Sequence, residues 1–319
     1  MSTALHVIQA GPLTTLQDTG RRGYQSVGVP VAGAMDALAL AVGNRMLGNQ
    51  PSTAGIEIAL SGLRLRVGGG AVRVAVTGAA SLAVNGTEYG AWVAATVRRG
   101  QTISVAPLAD GQFGYLTVAG GFAVDAVLGS LSTHLRAGIG PFGGRAIAAE
   151  DRLPVPSAPP GRSPLTQPAF SLPPALVPRP PARIRAVPGP QDSFFGAATM
   201  ARFFEADFAI SRQSDRMGYR LEGPVIPSEG TQNIISEGIA PGSVQVPGSG
   251  QPIVLMADRQ SVGGYPKIAT VISSDLGWLA QRRPGERVGF EAVTAERSIA
   301  IRRDLEDRLA AIRPPDGAA

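Results

Sequence analysis

The chain has 319 residues and a formal charge of +5, with no cysteine and only two histidines. The lack of cysteine excludes disulfides, thiol nucleophiles and thiolate metal sites, and two histidines are too few for a multi-histidine zinc centre, so no metal site is predicted. Of the 29 basic residues only Lys267 is a lysine, and its Tyr-Pro-Lys-Ile context excludes a P-loop and a biotinyl-lysine hairpin.

Charge and hydropathy also bear on partners and location. The arginines are scattered in pairs without interleaved aromatic residues, which argues against nucleic acid and favours small anions or an acidic protein surface, despite a pI of about 10.2. The first residues lack a signal-peptide pattern, and no apolar run approaches the roughly 18 residues of a membrane span. We therefore expect a cytoplasmic protein.

In chain order, the sequence predicts a mainly β fold with a few helices. Because it holds 41 glycines and 27 prolines but only 5% aromatic residues, tight turns should be frequent. Strands are predicted at residues 63–67, 72–76, 244–246 and 253–257. The Asn85-Gly86 step predicts a type I′ hairpin. Helices are predicted at residues 35–47, at 194–208 with Asp192 or Ser193 as the cap, and at 302–312.

A proline-rich region divides the chain. Residues 154–181 hold 11 prolines and no acidic residue, and this composition blocks helices and central strands, which predicts an extended connector. The predicted segments are an N-terminal β domain at 1–152, the connector at 153–182, a C-terminal β domain at 183–302, and a helix and tail at 303–319.

The two halves share a sequence pattern. The pattern [Ser/Thr]-x-Arg-x-Gly-Tyr-x-x-x-Gly occurs at residues 19–28 and again at 214–223, each time downstream of a Gly-Pro step. The shared order favours a duplicated domain, so two barrel-like β domains are predicted.

The first polar stretch of interest is residues 17–23, Gln-Asp-Thr-Gly-Arg-Arg-Gly. It places an amide, an acid and two guanidinium groups in one glycine-bounded turn, and recognition of a substrate amide and carboxylate needs such donors and acceptors. Asp36, at the start of the first predicted helix, either caps that helix or lines the same cleft.

The second stretch is residues 258–267, the densest polar run of the chain. Its two adjacent glycines allow the backbone to approach a ligand closely, and Lys267 could stabilise negative charge on a carbonyl or phosphoryl oxygen. The alternative is a surface hairpin with a solvated ion pair. Glu57, flanked by apolar residues, either faces solvent or is buried with an arginine.

These motifs make the chain similar to one known family. The chain resembles the allophanate hydrolase subunit 2 family over about residues 7–293. The resemblance is carried by motifs that occur in the same order as in the family: residues 11–23, the Met35-Asp36 step, and residues 214–220, 247–252 and 263–268. The family includes the C subunit of 5-oxoprolinase, the KipA-type proteins and the carboxyltransferase portion of urea carboxylase. The resemblance implies two cyclophilin-like β-barrel domains, in agreement with the shared pattern.

The resemblance also implies action within a complex. The 5-oxoprolinase members hydrolyse 5-oxo-L-proline to L-glutamate with ATP, together with a LamB/YcsF-type protein and a KipI-type protein, and the KipI-type protein shares the active cleft. Whether this chain itself binds ATP is left open, and covalent biotin is not expected. Two alternatives stay open: a carboxyltransferase component acting on urea or a similar amide with separate biotin proteins, and a KipA-type non-enzymatic regulator of a KipI-type kinase inhibitor.

A small amide substrate of this class suggests roles for the polar residues. Arg21 or Arg22 would hold a substrate carboxylate, and Gln17 and Asp18 the amide. Lys267 would bind the activated carbonyl or phosphoryl oxygen. The predicted catalytic residues are Lys267, Asp18 and Asp258. The predicted substrate-binding residues are Gln17, Arg21, Arg22, Asp36, Asp215, Arg216, Arg259 and Gln260. The residues at 215–216 and 258–259 alternatively form ion pairs that fix the barrel loops.

Overall fold

A computed structural model describes residues 3–108, 110–156, 168–228 and 234–314, and in these ranges strands predominate over four α-helices. The predicted mainly β fold is confirmed. The chain divides into two compact units. The first unit comprises Met1–Arg21, Ala32–Pro178 and Asp307–Ala319, and the second comprises Arg22–Val31 and Arg179–Glu306.

The first unit is built from two six-stranded sheets. One sheet has the order β11 (Arg152–Pro154), β1 (Ala4–Gln9), β4 (Leu63–Gly68), β9 (Thr102–Val105), β6 (Leu82–Val84) and β7 (Thr87–Gly90). The other has the order β12 (Phe170–Ser171), β8 (Val93–Val97), β5 (Val72–Gly78), β10 (Phe113–Val118), β3 (Gly55–Ala59) and β2 (Thr15–Gln17). The apolar side chains of both sheets form one hydrophobic core.

Alternation along the strands decides which side chains enter this core. In β4, Leu63, Leu65 and Val67 are buried, whereas the intervening arginines are exposed, because successive side chains of a strand point to opposite faces. The predicted hairpin is also confirmed. Asn85 and Gly86 both have positive φ, 48° and 83°, and they join the paired strands β6 and β7.

Helix α1 (Ala37–Met46) confirms the helix predicted at residues 35–47 and packs against β5 and β10. Its N-cap is Asp36, whose carboxylate accepts a hydrogen bond of 3.0 Å from the Ala39 N–H. Such a cap satisfies one of the backbone donors that every helix leaves unpaired at its start. The capping alternative for Asp36 is therefore confirmed.

The backbone just before α1 is fixed by a buried carboxylate. Tyr115 donates its hydroxyl hydrogen to Glu57 Oε2 at 2.6 Å and accepts a bond of 2.7 Å from the Asp36 N–H, while the Met35 N–H donates to Glu57 Oε2 at 2.8 Å. Burial raises the pKa of the Tyr115 hydroxyl well above its ordinary value, with Glu57 contributing. Glu57 is therefore buried, as one of its two alternatives predicts, but the partners seen here are Tyr115 and the Met35 N–H, so the arginine of that alternative is not confirmed.

The second unit is a closed seven-stranded barrel. Its order is β13 (Ile184–Pro188), β20 (Lys267–Val271), β17 (Ser243–Gln245), β18 (Ile253–Leu255), β15 (Gly218–Glu222), β14 (Asp207–Ile210) and β21 (Arg287–Ala292). Strands β13 and β21 pair in parallel, and the other neighbours are antiparallel. A separate two-stranded ribbon pairs β16 (Glu237–Gly238) with β19 (Val262–Gly263).

The remaining helices differ in part from the prediction. They are α2 (Ala197–Glu205), α3 (Leu276–Ala280) and α4 (Ala295–Ala311). The predicted caps of the 194–208 helix, Asp192 and Ser193, are wrong, because α2 starts after Gly196. The predicted end of this helix is also wrong, because residues 207 and 208 belong to β14. The C-terminal helix starts earlier than residue 302, at a turn where the Thr294 hydroxyl accepts from the Arg297 N–H.

The two copies of the repeated sequence pattern differ in local structure. Residues 25–27 of its first copy form a 3-10 helix, whereas residues 218–222 of its second copy form the barrel strand β15. The described parts of the proline-rich region also belong largely to the first unit. β11 pairs with β1, β12 pairs with β8, and Leu172 is buried in an apolar cluster with α1 residues. Residues 157–167 lie outside the described residues.

The Glu57–Tyr115 pair gives a first testable prediction. Tyr115→Phe removes a buried hydroxyl that serves two partners, so we expect the free energy of unfolding to fall by about 1–3 kcal/mol. Urea unfolding followed by circular dichroism measures the change. Tyr89→Phe is the control, because Tyr89 is partly exposed on β7. Equal stability of the two variants would contradict the assigned role of the hydroxyl.

Candidate functional site

The residues predicted for the site fall in both units. The first unit holds Gln17, Asp18, Arg21 and Asp36. The second holds Arg22, Asp215, Arg216, Asp258, Arg259, Gln260 and Lys267.

In the first unit, Asp18 binds the segment at residues 130–132. Its Oδ1 accepts from the hydroxyls of Ser130 and Ser132 at 2.7 and 2.5 Å and from the Gly20 N–H at 2.8 Å. Its Oδ2 accepts from the Leu131 N–H at 2.8 Å. A carboxylate with four donors inside the protein is well suited to hold a loop in place.

Arg21 and Gln17 hold the same region from the buried side. Arg21 is fully buried, and its Nε and Nη2 donate to the carbonyl oxygens of Val127 and Ser132 at 3.0 and 2.7 Å. Burial lowers the pKa of the Arg21 guanidinium, and the nearby Asp18 charge opposes that shift. Gln17 Nε2 donates to the Thr133 carbonyl at 2.8 Å. These contacts face the protein interior, so this group positions residues 127–133.

In the second unit, Arg216 and Asp258 form a two-bonded ion pair. Nε and Nη2 of Arg216 each lie 2.9 Å from one carboxylate oxygen of Asp258, and the Asp258 N–H donates to the Arg216 carbonyl at 2.8 Å. The adjacent Asp215 accepts from the N–H groups of Met217 and Gly218, which closes the turn before β15. This arrangement matches the loop-fixing alternative for the Arg216–Asp258 pair.

Lys267 lies at the start of β20 and is only 4% exposed. Its Nζ donates to Glu237 Oε1, and the same oxygen accepts a bond of 2.8 Å from Gln191 Nε2. Gln191 Oε1 in turn accepts from the Lys267 N–H at 3.2 Å. The Lys267–Glu237–Gln191 cluster is thus a closed set of hydrogen bonds around one charged pair.

Local packing brings these three side chains together. A Cβ atom on Gly189 would come 2.1 Å from the Lys267 carbonyl oxygen, so only glycine lets the chain before Gln191 approach β20 so closely. The Glu237 side chain remains 44% exposed on the ribbon strand β16. The hydrogen bonds from Lys267 and then from Gln191 lower the pKa of the Glu237 carboxyl.

Arg259 adds a second buried cation. Its Nε donates to the Ile239 carbonyl at 3.1 Å and its Nη1 to the Met256 carbonyl at 3.4 Å. Burial lowers the pKa of the Arg259 guanidinium, and the positive charge of Arg22 lowers it further, which places the two arginines within electrostatic reach of each other. Arg22 and Gln260 themselves are exposed.

The second unit therefore holds three cationic side chains of the predicted site: Lys267 and Arg259 are buried and bonded to oxygens of the protein, and Arg22 is exposed. Glu237 and Gln191 are not among the predicted site residues, because no motif surrounds either of them. A Ser-Glu-Gly step carries no recognisable spacing, and its contact with Lys267 spans 30 residues of the chain. Gln191 follows the Gly189-Pro190 step that precedes the repeated pattern, but it is not itself part of that pattern.

Comparison with known proteins relates the whole chain to one group. The family model described as "Carboxyltransferase domain, subdomain A and B" matches residues 27–292. The chain is 38% identical to the C subunit of 5-oxoprolinase from Haemophilus influenzae, over 97% of each chain. It is 31% identical to "Urea amidolyase" of Saccharomyces cerevisiae, over 99% of this chain and 18% of that protein.

A comparison with solved structures relates the chain to the same group of proteins. The crystal structure of the Kluyveromyces lactis urea carboxylase matches with a TM-score of 0.88 and 26% identity, over 98% of this chain and 29% of that one. Among the described residues, no helix has both the length and the apolar character needed to cross a bilayer.

The cluster predicts a measurable titration shift. Lys267→Met removes the larger cause of the lowered Glu237 pKa, so that pKa should rise towards its ordinary value, and Gln191→Leu should raise it less. Carbon-13 NMR of glutamate carboxyl groups as a function of pH measures both. The low folded-state pKa stabilises the protein above the unfolded pKa, and this contribution is lost as the pH falls through the folded value. An unchanged Glu237 pKa in Lys267→Met would contradict the assigned ion pair.

Proposed function

Because the chain belongs to the carboxyltransferase domain, subdomain A and B, family, we propose that it is the C subunit of an ATP-dependent 5-oxoprolinase. The family membership confirms the resemblance inferred from the motifs. The observation that carries the proposal is the 38% identity to a protein of that name, in an alignment that spans 97% of both chains. A second relative with the same name, from Escherichia coli, is 38% identical over 95% of each chain.

In this proposal the chain acts with two partners. A LamB/YcsF-type protein and a KipI-type protein complete the enzyme, the cleft is shared with the KipI-type protein, and the complex converts 5-oxo-L-proline to L-glutamate as ATP is hydrolysed. The chain by itself is not expected to be active. The name of the relatives, which makes them subunits, supports an assembly of more than one protein.

The second unit supplies the groups that suit this substrate. 5-Oxo-L-proline presents a lactam carbonyl and a carboxylate, both of which accept hydrogen bonds. Lys267 would donate to the lactam carbonyl and stabilise the negative charge that develops on its oxygen. Arg22 is the better candidate for the carboxylate than Arg21, because Arg22 is exposed and Arg21 is fully buried among carbonyl groups.

In this proposal ATP is used by the complex, and this chain carries no covalent biotin. The only lysine is buried and paired with Glu237, an environment that does not suit a biotinyl group, which must swing freely between sites. Lys267 follows a Tyr-Pro step at the start of a strand, not a glycine-rich phosphate-binding loop. We therefore assign nucleotide binding to the assembled complex.

A second candidate function has its own support. The family description names a carboxyltransferase domain, and urea amidolyases align with almost the entire chain. In that case the chain would transfer a carboxyl group from biotin on a separate protein to urea or a similar amide. Lys267 would then donate to the urea carbonyl. Because the same residue serves both candidate functions, only the identity of the substrate distinguishes them.

The decisive experiment is glutamate release from 5-oxo-L-proline by the reconstituted mixture of the three proteins with ATP. We expect release only when all three chains are present. Lys267→Met should lower kcat by about 10²–10³-fold, the usual effect of removing a donor that stabilises developing charge.

Arg303→Gln, an exposed substitution on α4, serves as the control and should retain full activity. Undiminished release without this chain would refute the proposed function. Urea-dependent carboxyl transfer in the presence of a biotin carboxylase, without glutamate release, would favour the second candidate.

A further inference from the structure

The first unit has a cavity of about 240 Å³ that none of the predicted site residues lines. One row of side chains, which crosses five neighbouring strands of the sheet that contains β1, contributes to its lining. Residues opposite each other in antiparallel strands project to the same face, so the members of the row share one surface. In register order the row is Gln9, Arg64, Ser104, Ala83 and Glu88.

This surface faces away from the hydrophobic core. On β9, Ser104 lies between Ile103 and Val105, which are both buried in the core, and successive side chains of a strand point to opposite faces. Ala83 on β6 follows the same alternation, yet it is only 8% exposed. Residues 105–107 also line the cavity. The middle of the row therefore forms the floor of a recess and not an open sheet face.

Two side chains of opposite charge line the recess without pairing. Neither Arg64 nor Glu88 forms a hydrogen bond or an ion pair with another residue in the part of the chain that the structure describes. Their strands are three steps apart in the sheet, which corresponds to roughly 14 Å between the two backbones. Only the small residues Ser104 and Ala83 stand between them. The recess thus offers a cation on one side, an anion on the other and a hydroxyl between them.

The neighbouring positions of the same face carry charge without a recess. Arg66 lies two residues from Arg64 on β4 and is likewise exposed, but it does not line the cavity. Its register partner on β9 is Thr102, which lies outside the cavity as well. The cavity therefore belongs to one row of the sheet and not to the whole charged surface.

We propose that this recess binds a free amino acid, with Arg64 holding the carboxylate and Glu88 the ammonium group. A guanidinium group donates two parallel hydrogen bonds to a carboxylate, and a carboxylate accepts hydrogen bonds from an ammonium group. Because a single exposed ion pair contributes little, the recess should favour a ligand that carries both charges. Ser104 and Gln9 remain available for a polar side chain.

The size of the cavity agrees with a ligand of this class. Pockets for drug-sized molecules measure about 300–1,000 Å³, so a cavity of about 240 Å³ suits a smaller molecule. The inference does not depend on the proposed function, because all lining residues belong to the first unit, whereas Lys267 belongs to the second.

Calorimetric titration of the full-length chain with L-glutamine, without partner proteins or ATP, tests the site. L-Glutamine carries both charges and a neutral side chain. We expect saturable binding, together with shifts of the backbone amide resonances of Ala83 and Ser104 in ¹⁵N-labelled chain. L-Glutaminamide lacks the carboxylate and N-acetyl-L-glutamine lacks the ammonium group. Each analogue should bind at least about tenfold more weakly, the usual effect of losing a hydrogen bond to a charged group.

Variants of the two charged residues assign each end of the ligand. Arg64→Gln should weaken the binding of L-glutamine about tenfold but should not weaken that of L-glutaminamide, which has no carboxylate to lose. Glu88→Gln should weaken the binding of L-glutamine but not that of N-acetyl-L-glutamine. Arg66→Gln is the matched control and should bind like the wild type, because it removes the same charge from the same strand outside the cavity.

Filling the recess separates binding in a cavity from attraction to surface charge. Ser104→Leu places a larger side chain in the middle of the row and should weaken binding of L-glutamine at least tenfold. Thr102→Leu is the matched control, because Thr102 lies on the same face of β9, is similarly half-buried and does not line the cavity. Thermal unfolding followed by circular dichroism checks that both variants are folded.

The possible outcomes decide the proposal. It is overturned if the wild type shows no saturable binding of L-glutamine, or if it binds L-glutamine and the two analogues with equal affinity. Equal losses of affinity in Arg64→Gln and Arg66→Gln would also overturn it, because the overall surface charge would then explain the binding. Since Arg64 and Glu88 are exposed, their variants decide the question even if Ser104→Leu fails to fold.

Discussion

The ion pair between Lys267 and Glu237 is the contact on which the polar centre of the second unit depends. It joins the barrel strand β20 to the ribbon strand β16, and Gln191 bonds to both partners. Because the ribbon is thereby held against the barrel, Gly263 lies beside Gln245. Without the pair, an ammonium group and an amide would be buried with no fixed geometry, and buried charges are tolerated only when they are paired.

Polar residues serve a different purpose in the first unit. Asp18 and Arg21 belong to the most conspicuous polar motif of the chain, yet their side chains bond mostly to residues 127–133. A loop backbone that runs close to the core needs partners for its carbonyl and N–H groups, and charged side chains supply them strongly. A dense polar motif is therefore compatible with either ligand binding or internal support, and only the geometry separates the two.

Local signals predicted local structure well. The hairpin at Asn85, the helix capped by Asp36 and the strand pattern of β4 follow from φ preferences and periodicity within a few residues. Contacts between segments that are distant in the sequence could not be predicted. Glu237 meets Lys267 across 30 residues, and nothing in its neighbouring sequence indicates that pairing. The two copies of the repeated pattern likewise differ in local structure, with a 3-10 turn in one copy and a barrel strand in the other.

The burial of Lys267 has a practical consequence for work on the assembly. The chain has no other side-chain amine, and this one is 4% exposed and bonded to a carboxylate. Reagents that acylate free amines, including the common ester cross-linkers, and enzymes that attach acetyl or ubiquitin groups to lysine thus find almost no target on this surface. Contacts with neighbouring proteins will have to be mapped through its carboxylates and its many arginines.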